Sequence, residues 1–101
     1  MNNSELLKKL VSIRREIHKN PELGNREFKT ASLIEKTLKT LRISFTRVTP
    51  TGIVAILGNR SSGCVALRAD MDALPLTERT GKNYKSGTPG VMHACGHDAH
   101  V

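Results

Sequence analysis

The sequence has few aromatic residues, few cysteines and no long hydrophobic run. Its 101 residues include no tryptophan, one tyrosine and two phenylalanines. Because aromatic side chains supply the largest buried surfaces in many proteins, the core of this one small domain must be aliphatic. No apolar segment approaches the about 20 residues that a membrane-spanning helix needs, so we expect no membrane partner.

Targeting signals and disulfide patterns are also lacking. The first five residues do not have the charged-then-apolar order of a signal peptide, and we therefore expect a cytoplasmic protein. Two cysteines, Cys64 and Cys95, are too few for the disulfide framework of a small secreted domain. We expect Cys64 to pack as a small apolar side chain at the start of a buried strand, and Cys95 to be free or metal-bound.

Acidic residues are the scarcer charged type, with 9 Asp and Glu against 16 Lys and Arg, which gives a net charge of +7. A basic excess is typical of nucleic-acid-binding proteins. Here most of the basic residues lie in the first 42 positions beside glutamates four residues away, as on a solvated helix face. No aromatic residues alternate with them for base stacking. The pattern indicates an ordinary charged surface and no nucleic-acid partner.

Apolar periodicity and short β-rich runs predict two helices followed by three strands. Helical spacing covers residues 4–19 and continues from 25 or 26 to 41, and a break at Asn20-Pro21 separates the two segments. Short β-rich runs predict strands at 45–48, 53–57 and 64–69. Residues 75–92 contain several Gly and Pro breakers and are expected to form a long irregular loop of the kind that often carries function.

Two acids follow the third predicted strand. Asp70 and Asp72 are two positions apart, so an extended backbone would point both carboxylates the same way at the carboxyl end of that strand. The pair is a candidate edge of a metal or ligand site, because a cation would relieve their repulsion. The alternative is a strand-end turn in which one Asp accepts hydrogen bonds from backbone amides.

Residues 93–100 concentrate side chains that bind metals. His93, Cys95 and His97 alternate, so in an extended backbone they lie on one face and Cys95 and His97 can reach a common ion. Thiolate and imidazole suit zinc and other late first-row metals, and carboxylates extend the range to manganese. Asp98 is expected to hold an imidazole or to cap a helix that begins there, and His93 and His100 to orient neighbours, contact substrate or face solvent.

Two alternative interpretations remain open at this stage. His18 lies in the last turn of the first helix, where a cation or hydrogen-bond donor near the free carbonyls is a more ordinary role than catalysis. A small structural zinc module could use His93, Cys95, His97 and His100. Four ligands within eight residues leave little chain to surround an ion tetrahedrally, which disfavours this module.

Four segments of the sequence together resemble one enzyme family. They are RREIH at 14–18 followed by PELG at 21–24, TGIVA at 51–55, ALRADMDALP at 66–75, and PGVMHACGHDAH at 89–100. In this order and separation they resemble the M20 metallopeptidases, and within them the amidohydrolase branch of hippurate hydrolases, N-acyl-amino-acid deacetylases and auxin-conjugate hydrolases. The last two segments are the specific ones.

The resemblance implies a two-domain, metal-dependent hydrolase. Residues 1–101 would form the amino-terminal portion of its α/β catalytic domain, without the remainder of that domain and without the inserted smaller domain. A homodimer would form only through the inserted domain. The implied cofactors are two divalent metal ions, manganese or zinc, with cobalt or nickel as alternatives. The implied substrate is a small N-acyl amino acid or similar conjugate, cleaved at its amide bond.

The resemblance also assigns roles to individual residues. It implies that Cys95 and His97 are metal ligands and that Asp72 is the acid that orients the centre from behind its ligands. Asp70 stands where other branches of the family usually carry a metal-binding histidine. The family's general-base glutamate and its other ligands come from later in the chain and have no counterpart here. We therefore expect the 101-residue chain to be inactive by itself.

Overall fold

Two long helices, a β-hairpin and a short last helix make up the regular structure of the chain. The computed structural model describes residues 1–59 and 61–101. Its elements are α1 (Asn3–Lys19), α2 (Phe28–Thr40), β1 (Ser44–Arg47), β2 (Ile53–Ile56) and α3 (His97–His100). Both predicted helices and the first two predicted strands are confirmed. Within the described residues, no helix is long and apolar enough to cross a membrane.

Local hydrogen bonds define both ends of α1. The amide of Glu5 donates to Asn2 Oδ1 at 2.9 Å, and the amide of Asn2 donates to Glu5 Oε2 at 3.0 Å. This reciprocal pair is a capping box, which satisfies amides that the first helical turn leaves free. The helix stops at Lys19 because Pro21 disfavours helical backbone at Asn20, whose amide donates to the Ile17 carbonyl at 3.1 Å.

Helix α2 begins at Phe28, later than the predicted 25 or 26, because its cap comes from outside the helix. One oxygen of the Glu22 carboxylate accepts from the Lys29 amide at 2.9 Å, and the other accepts from the Thr30 amide at 2.7 Å. Asn25 has φ 65°, a left-handed conformation that excludes it from the helix. An acid six residues upstream of the first helical residue therefore sets where the helix starts.

Strands β1 and β2 pair antiparallel, with Ser44 opposite Ile56 and Arg47 opposite Ile53. The guanidinium of Arg47 fastens this hairpin to α2, since its Nε lies 2.8 Å from Glu35 Oε1. The same side chain donates through Nη1 to the Pro50 carbonyl at 2.6 Å and so braces the connecting turn.

The third predicted strand is wrong. Residues 64–69 form no strand, and Val65 and Leu67 are 91% and 98% exposed. A strand needs a neighbour for its backbone hydrogen bonds, and in the described part of the chain the only sheet contains β1 and β2 alone. Cys64 begins this segment and is exposed, so the expectation that it is buried is also wrong.

The core is aliphatic, as the composition predicts, and it is small. Ile17 of α1, Ala31 of α2 and Ala73 are exposed by no more than 3%. Larger apolar side chains such as Leu57 remain on the surface, with 83% of that residue exposed. The stability of the folded chain therefore depends on few buried apolar groups, and Ile17 is the largest of them.

We predict that Ile17→Ala lowers the free energy of unfolding by about 2–5 kcal/mol, because it removes most of a fully buried side chain and leaves a cavity. The matched control is Leu7→Ala on the same helix, where the leucine is 61% exposed and the expected change is within about 0.5 kcal/mol. Urea denaturation followed by circular dichroism measures both. Equal losses in the two variants would contradict this description of the core.

Candidate metal site

Backbone hydrogen bonds hold the segment that carries Asp72 beside the 93–100 cluster. The amide of Ala73 donates to the Glu22 carbonyl at 2.8 Å. Leu74 and Met92 form an isolated antiparallel bridge, in which each amide donates to the other's carbonyl at 2.9 and 3.0 Å. The long irregular segment between them is thus closed at its base, and Asp72 and residue 93 are brought to neighbouring positions.

Asp72 holds the ring of His97 at the start of α3. His97 Nδ1 lies 2.9 Å from Asp72 Oδ1 and 3.0 Å from the Asp72 carbonyl oxygen. A carbonyl can only accept, so Nδ1 carries the hydrogen, and in the neutral ring the lone pair lies on Nε2. This is the arrangement that histidine metal ligands commonly have, with one nitrogen fixed by a carboxylate and the other directed at the ion.

Cys95 is exposed and unbridged, two residues before His97. The predicted extended alternation of residues 93, 95 and 97 is wrong, since His93 is buried while Cys95 is exposed. Gly96 then adopts φ 111°, a conformation that glycine accepts readily, and turns the backbone into α3. The thiol and the imidazole therefore lie on either side of a bend rather than on one face of a strand.

His93 lies inside the structure, with 5% of its surface exposed. Within residues 1–59 and 61–101, neither of its ring nitrogens has a hydrogen-bond partner. Loss of water around the ring lowers the pKa of His93 below 6.5, although nearby Asp98 opposes that effect. Burial therefore favours the neutral form of this ring, which is not one of the exposed donors.

Asp70 and His100 lie at the edge of the arrangement. The Asp70 carboxylate pairs with Arg68, at 2.6 Å from Nη2, whereas Asp72 faces His97. The two acids thus have different partners, and the expectation of a shared direction is not met. His100 is exposed, with its ring centroid 6.3 Å from that of His97.

A second group of side chains, which we call the His18 cluster, consists of Arg14, His18, Glu78 and Asp98. Asp98 Oδ2 lies 2.7 Å from His18 Nδ1 and 2.9 Å from Arg14 Nε. His18 Nε2 lies 2.8 Å from Glu78 Oε1. Asp98 does hold an imidazole, which was one of its two expected roles, but the imidazole belongs to α1 and not to the 93–100 cluster. His18 contacts two carboxylates instead of the carbonyl end of its helix.

Glu78 ties the irregular loop to this cluster. Its carboxylate accepts hydrogen bonds from the Ser86 amide at 3.0 Å and from the Thr80 hydroxyl. Burial acts to raise the pKa of Glu78, but these hydrogen bonds and the nearby His18 outweigh it, so the pKa lies below 4.5. The sequence analysis missed Glu78 and Arg14. The i, i+4 spacing of Arg14 and His18 was the available signal, because it places both on one helix face.

The described residues do not form a complete metal site. No three His, Cys, Asp or Glu side chains in residues 1–59 and 61–101 are grouped so that they could hold an ion. This argues against the structural zinc module built from His93, Cys95, His97 and His100. Cys95 and His97 have the donor chemistry of metal ligands, and the Asp72 contact suits the histidine for that role.

Comparison with known proteins places this site in context. The profile of peptidase family M20/M25/M40 matches residues 66–101, which include Asp72, Cys95 and His97. Thermostable carboxypeptidase 2 of Saccharolobus solfataricus is 50% identical over 95 residues, which cover 91% of this chain and 24% of that protein. N-acetyl-L-cysteine deacetylase of Bacillus subtilis is 47% identical over 103 residues, which cover all of this chain and 25% of that protein.

A solved structure shares the fold. A Bacillus subtilis protein described as a dinuclear metal-binding peptidase of the M20 family superposes with a TM-score of 0.89 at 37% identity. The match covers 95% of this chain and 28% of that one. The chain therefore spans about a quarter of the length of the relatives it matches.

Because the pKa of Glu78 is lower in the folded than in the unfolded chain, its ionised form favours folding. That contribution is present in full above pH 4.5 and is lost as the pH falls through the folded-state pKa. We predict that Glu78→Gln makes the free energy of unfolding less dependent on pH below 4.5 than in the wild type. Urea denaturation at a series of pH values measures the slope. Glu16→Gln, which removes a carboxylate at an exposed site on α1, is the matched control. An unchanged slope in Glu78→Gln would contradict the prediction.

Proposed function

Since the chain belongs to the M20 peptidase family, we propose that it supplies Cys95 and His97 as ligands to a centre of two divalent metal ions in an amidohydrolase. The observation that carries this proposal is the contact of His97 Nδ1 with Asp72 Oδ1 at 2.9 Å. It fixes the tautomer that leaves Nε2 free for an ion, and such carboxylate partners are typical of histidine ligands. Residues 1–101 would form the amino-terminal portion of the catalytic domain.

The donor set limits the choice of metal. A thiolate and an imidazole favour zinc, cobalt and nickel, and a carboxylate ligand from the rest of an M20 centre would also admit manganese. Cys95 suits the role because its sulfur is exposed and unbridged. The thiol must lose its proton to bind a metal, so loading of the site would release protons and become stronger as pH rises.

The proposed reaction is hydrolysis of the amide bond of an N-acyl amino acid or similar small conjugate. When bound, the metal ions would polarise the acyl carbonyl and activate water. The residues of this chain would bind and orient the centre: Cys95 and His97 as ligands, and Asp72 as the group that holds His97. The relatives named above act on substrates of related kinds, an N-acetylated amino acid in one case and a peptide in the other.

The proposal also includes the partners and the location expected from the sequence. The partner is a small-molecule substrate in the cytoplasm, and neither nucleic acid nor membrane is involved. Any homodimer would form through the inserted domain of the full-length protein. No three His, Cys, Asp or Glu side chains of the described residues are grouped so that they could hold an ion, so catalysis would require groups from the rest of an M20 protein, including a general base.

We predict that Cys95→Ser and His97→Ala each lower the metal affinity of the full-length protein. Loss of a residue that hydrogen-bonds a metal ligand lowers affinity by about 10- to 100-fold, and we expect loss of a ligand itself to lower it further. Titration with Co²⁺, followed by thiolate-to-cobalt absorption, measures the affinity. Asp72→Asn should lose about 10- to 100-fold. The matched controls are Cys64→Ser and His100→Ala, which remove the other exposed thiol and the other α3 histidine. Wild-type affinity in Cys95→Ser and His97→Ala would contradict the ligand assignment.

We also predict that the purified 101-residue chain does not hydrolyse N-acetyl amino acids in manganese or zinc, because two ligands cannot hold two ions about 3.5–4 Å apart. Release of the free amino acid, measured by amine derivatisation, is the assay. The full-length protein prepared in the same way is the positive control. If the 101-residue chain hydrolyses the substrate and His97→Ala abolishes this activity, the prediction is contradicted. Activity that persists in His97→Ala would identify a contaminating hydrolase.

A further inference from the structure

We propose that His18 is a positioning residue for His97: by holding the Asp98 carboxylate, it fixes the first turn of α3 and with it the proposed metal ligand. The inference rests on the proposed function in one respect, that His97 binds a metal. It concerns a residue on α1, 79 positions away in sequence, that has no place in the ligand set described above.

Helix α3 cannot hold His97 by itself. It contains four residues, and its first residue follows a left-handed glycine with no side-chain cap. An isolated helix of this length is unstable in water, because the hydrogen bonds of a single turn do not compensate for the free-energy cost of nucleation. Its position must therefore come from tertiary contacts, and the element that packs against it is α1.

Asp98 is the anchor of α3. It immediately follows His97 in the chain, and 3% of its surface is exposed. A buried carboxylate is costly unless it is paired, so the position of Asp98 is determined by the groups that pair with it. Both of those groups, Arg14 and His18, come from α1 and approach the same oxygen, Oδ2.

Of the two partners, His18 is the better defined. Its side chain is 5% exposed, whereas that of Arg14 is 36% exposed and extends to solvent. The second ring nitrogen of His18 lies 2.8 Å from Glu78 Oε1, which prevents the ring from turning away from Asp98. The imidazole is thus clamped between a carboxylate of the loop and a carboxylate of α3.

His97 is consequently restrained from two sides. Asp72 holds its ring through Nδ1, and the His18 cluster holds the backbone beside it through Asp98. Without the contact between His18 and Asp98, the His97 ring would still be hydrogen-bonded to the half-exposed Asp72, but helix α3 could shift. Metal ligands whose supporting contacts are removed typically lose about 10- to 100-fold in affinity.

Two amide substitutions separate the two nitrogens of His18. The amide nitrogen of Asn can replace Nδ1, so His18→Asn keeps a donor for Asp98 and loses the contact with Glu78. The amide nitrogen of Gln can replace Nε2, so His18→Gln keeps the contact with Glu78 and loses the one with Asp98. Both variants remove the same ring, so the difference between them reports which of the two contacts, with Asp98 or with Glu78, supports His97. Melting temperatures of both establish that they are folded under the conditions used.

The experiment measures two quantities in the full-length protein. The first is the affinity for Co²⁺, from the thiolate-to-cobalt absorption. The second is the pair of ¹⁵N shifts of the His97 ring in the metal-free protein, which report its tautomer and its hydrogen bond to Asp72. We expect His18→Gln to lose about tenfold or more in affinity and to change the His97 shifts, and we expect His18→Asn to retain most of both.

Equal effects of the two substitutions on both quantities, or no effect of either, would overturn the proposal, since a merely structural histidine would act through stability alone. A different result would overturn the proposed function. Either the wild-type protein shows no thiolate-to-cobalt absorption, or it shows an absorption that persists in Cys95→Ser. In that case the ring shifts still decide the positioning role, because they are measured without metal.

Discussion

The pairing of one buried carboxylate determines how the ends of this chain meet. Asp98 is withdrawn from water, and a charge in that position must be compensated by groups of the protein. Arg14 and His18 provide the compensation from a single face of α1. The last four-residue helix can therefore occupy only the place where those two side chains reach it, and the proposed ligand His97 takes its position from that constraint.

The proposed metal site is a tertiary feature rather than a local one, even though its two ligands are two residues apart. The orientation of the His97 ring depends on Asp72, 25 residues earlier. Asp72 in turn is placed by the backbone pairing of Ala73 with Glu22 and of Leu74 with Met92. Glu22 also caps α2 through its side chain. One turn between the two long helices thus serves both the start of α2 and the position of the site.

Sequence patterns predicted the elements whose formation depends on neighbouring residues in the chain. They failed for features that depend on residues distant in sequence. Apolar spacing predicted α1, and short β-rich runs predicted the positions of β1 and β2, because the physical causes of both are largely local. The strand at 64–69 was predicted from its apolar run alone, but strand formation requires a second strand that the run does not specify. His18 was assigned an ordinary helix-end role, since the acids that bind it are 60 and 80 residues away. The motifs made Cys95, His97 and Asp72 candidates for the site; the contact between His97 and Asp72 could be seen only in three dimensions.

The energetics of the His18 cluster favour a role in positioning over a role in stability. Buried ion pairs are costly to desolvate, and replacing them with apolar groups of similar volume is often neutral or stabilising. In a domain whose core is made from Ile17 and two alanines, an apolar cluster at this place would have been the simpler way to add stability. The Asp98 carboxylate, the His18 imidazole and the Glu78 carboxylate form a row of hydrogen-bonded groups. Because each hydrogen bond depends on direction, the row is satisfied in one geometry and is weakened when any member is displaced. The arrangement links the irregular loop through Glu78, the first helix through His18 and the ligand-bearing turn through Asp98, so that none of the three can move without breaking a buried polar contact.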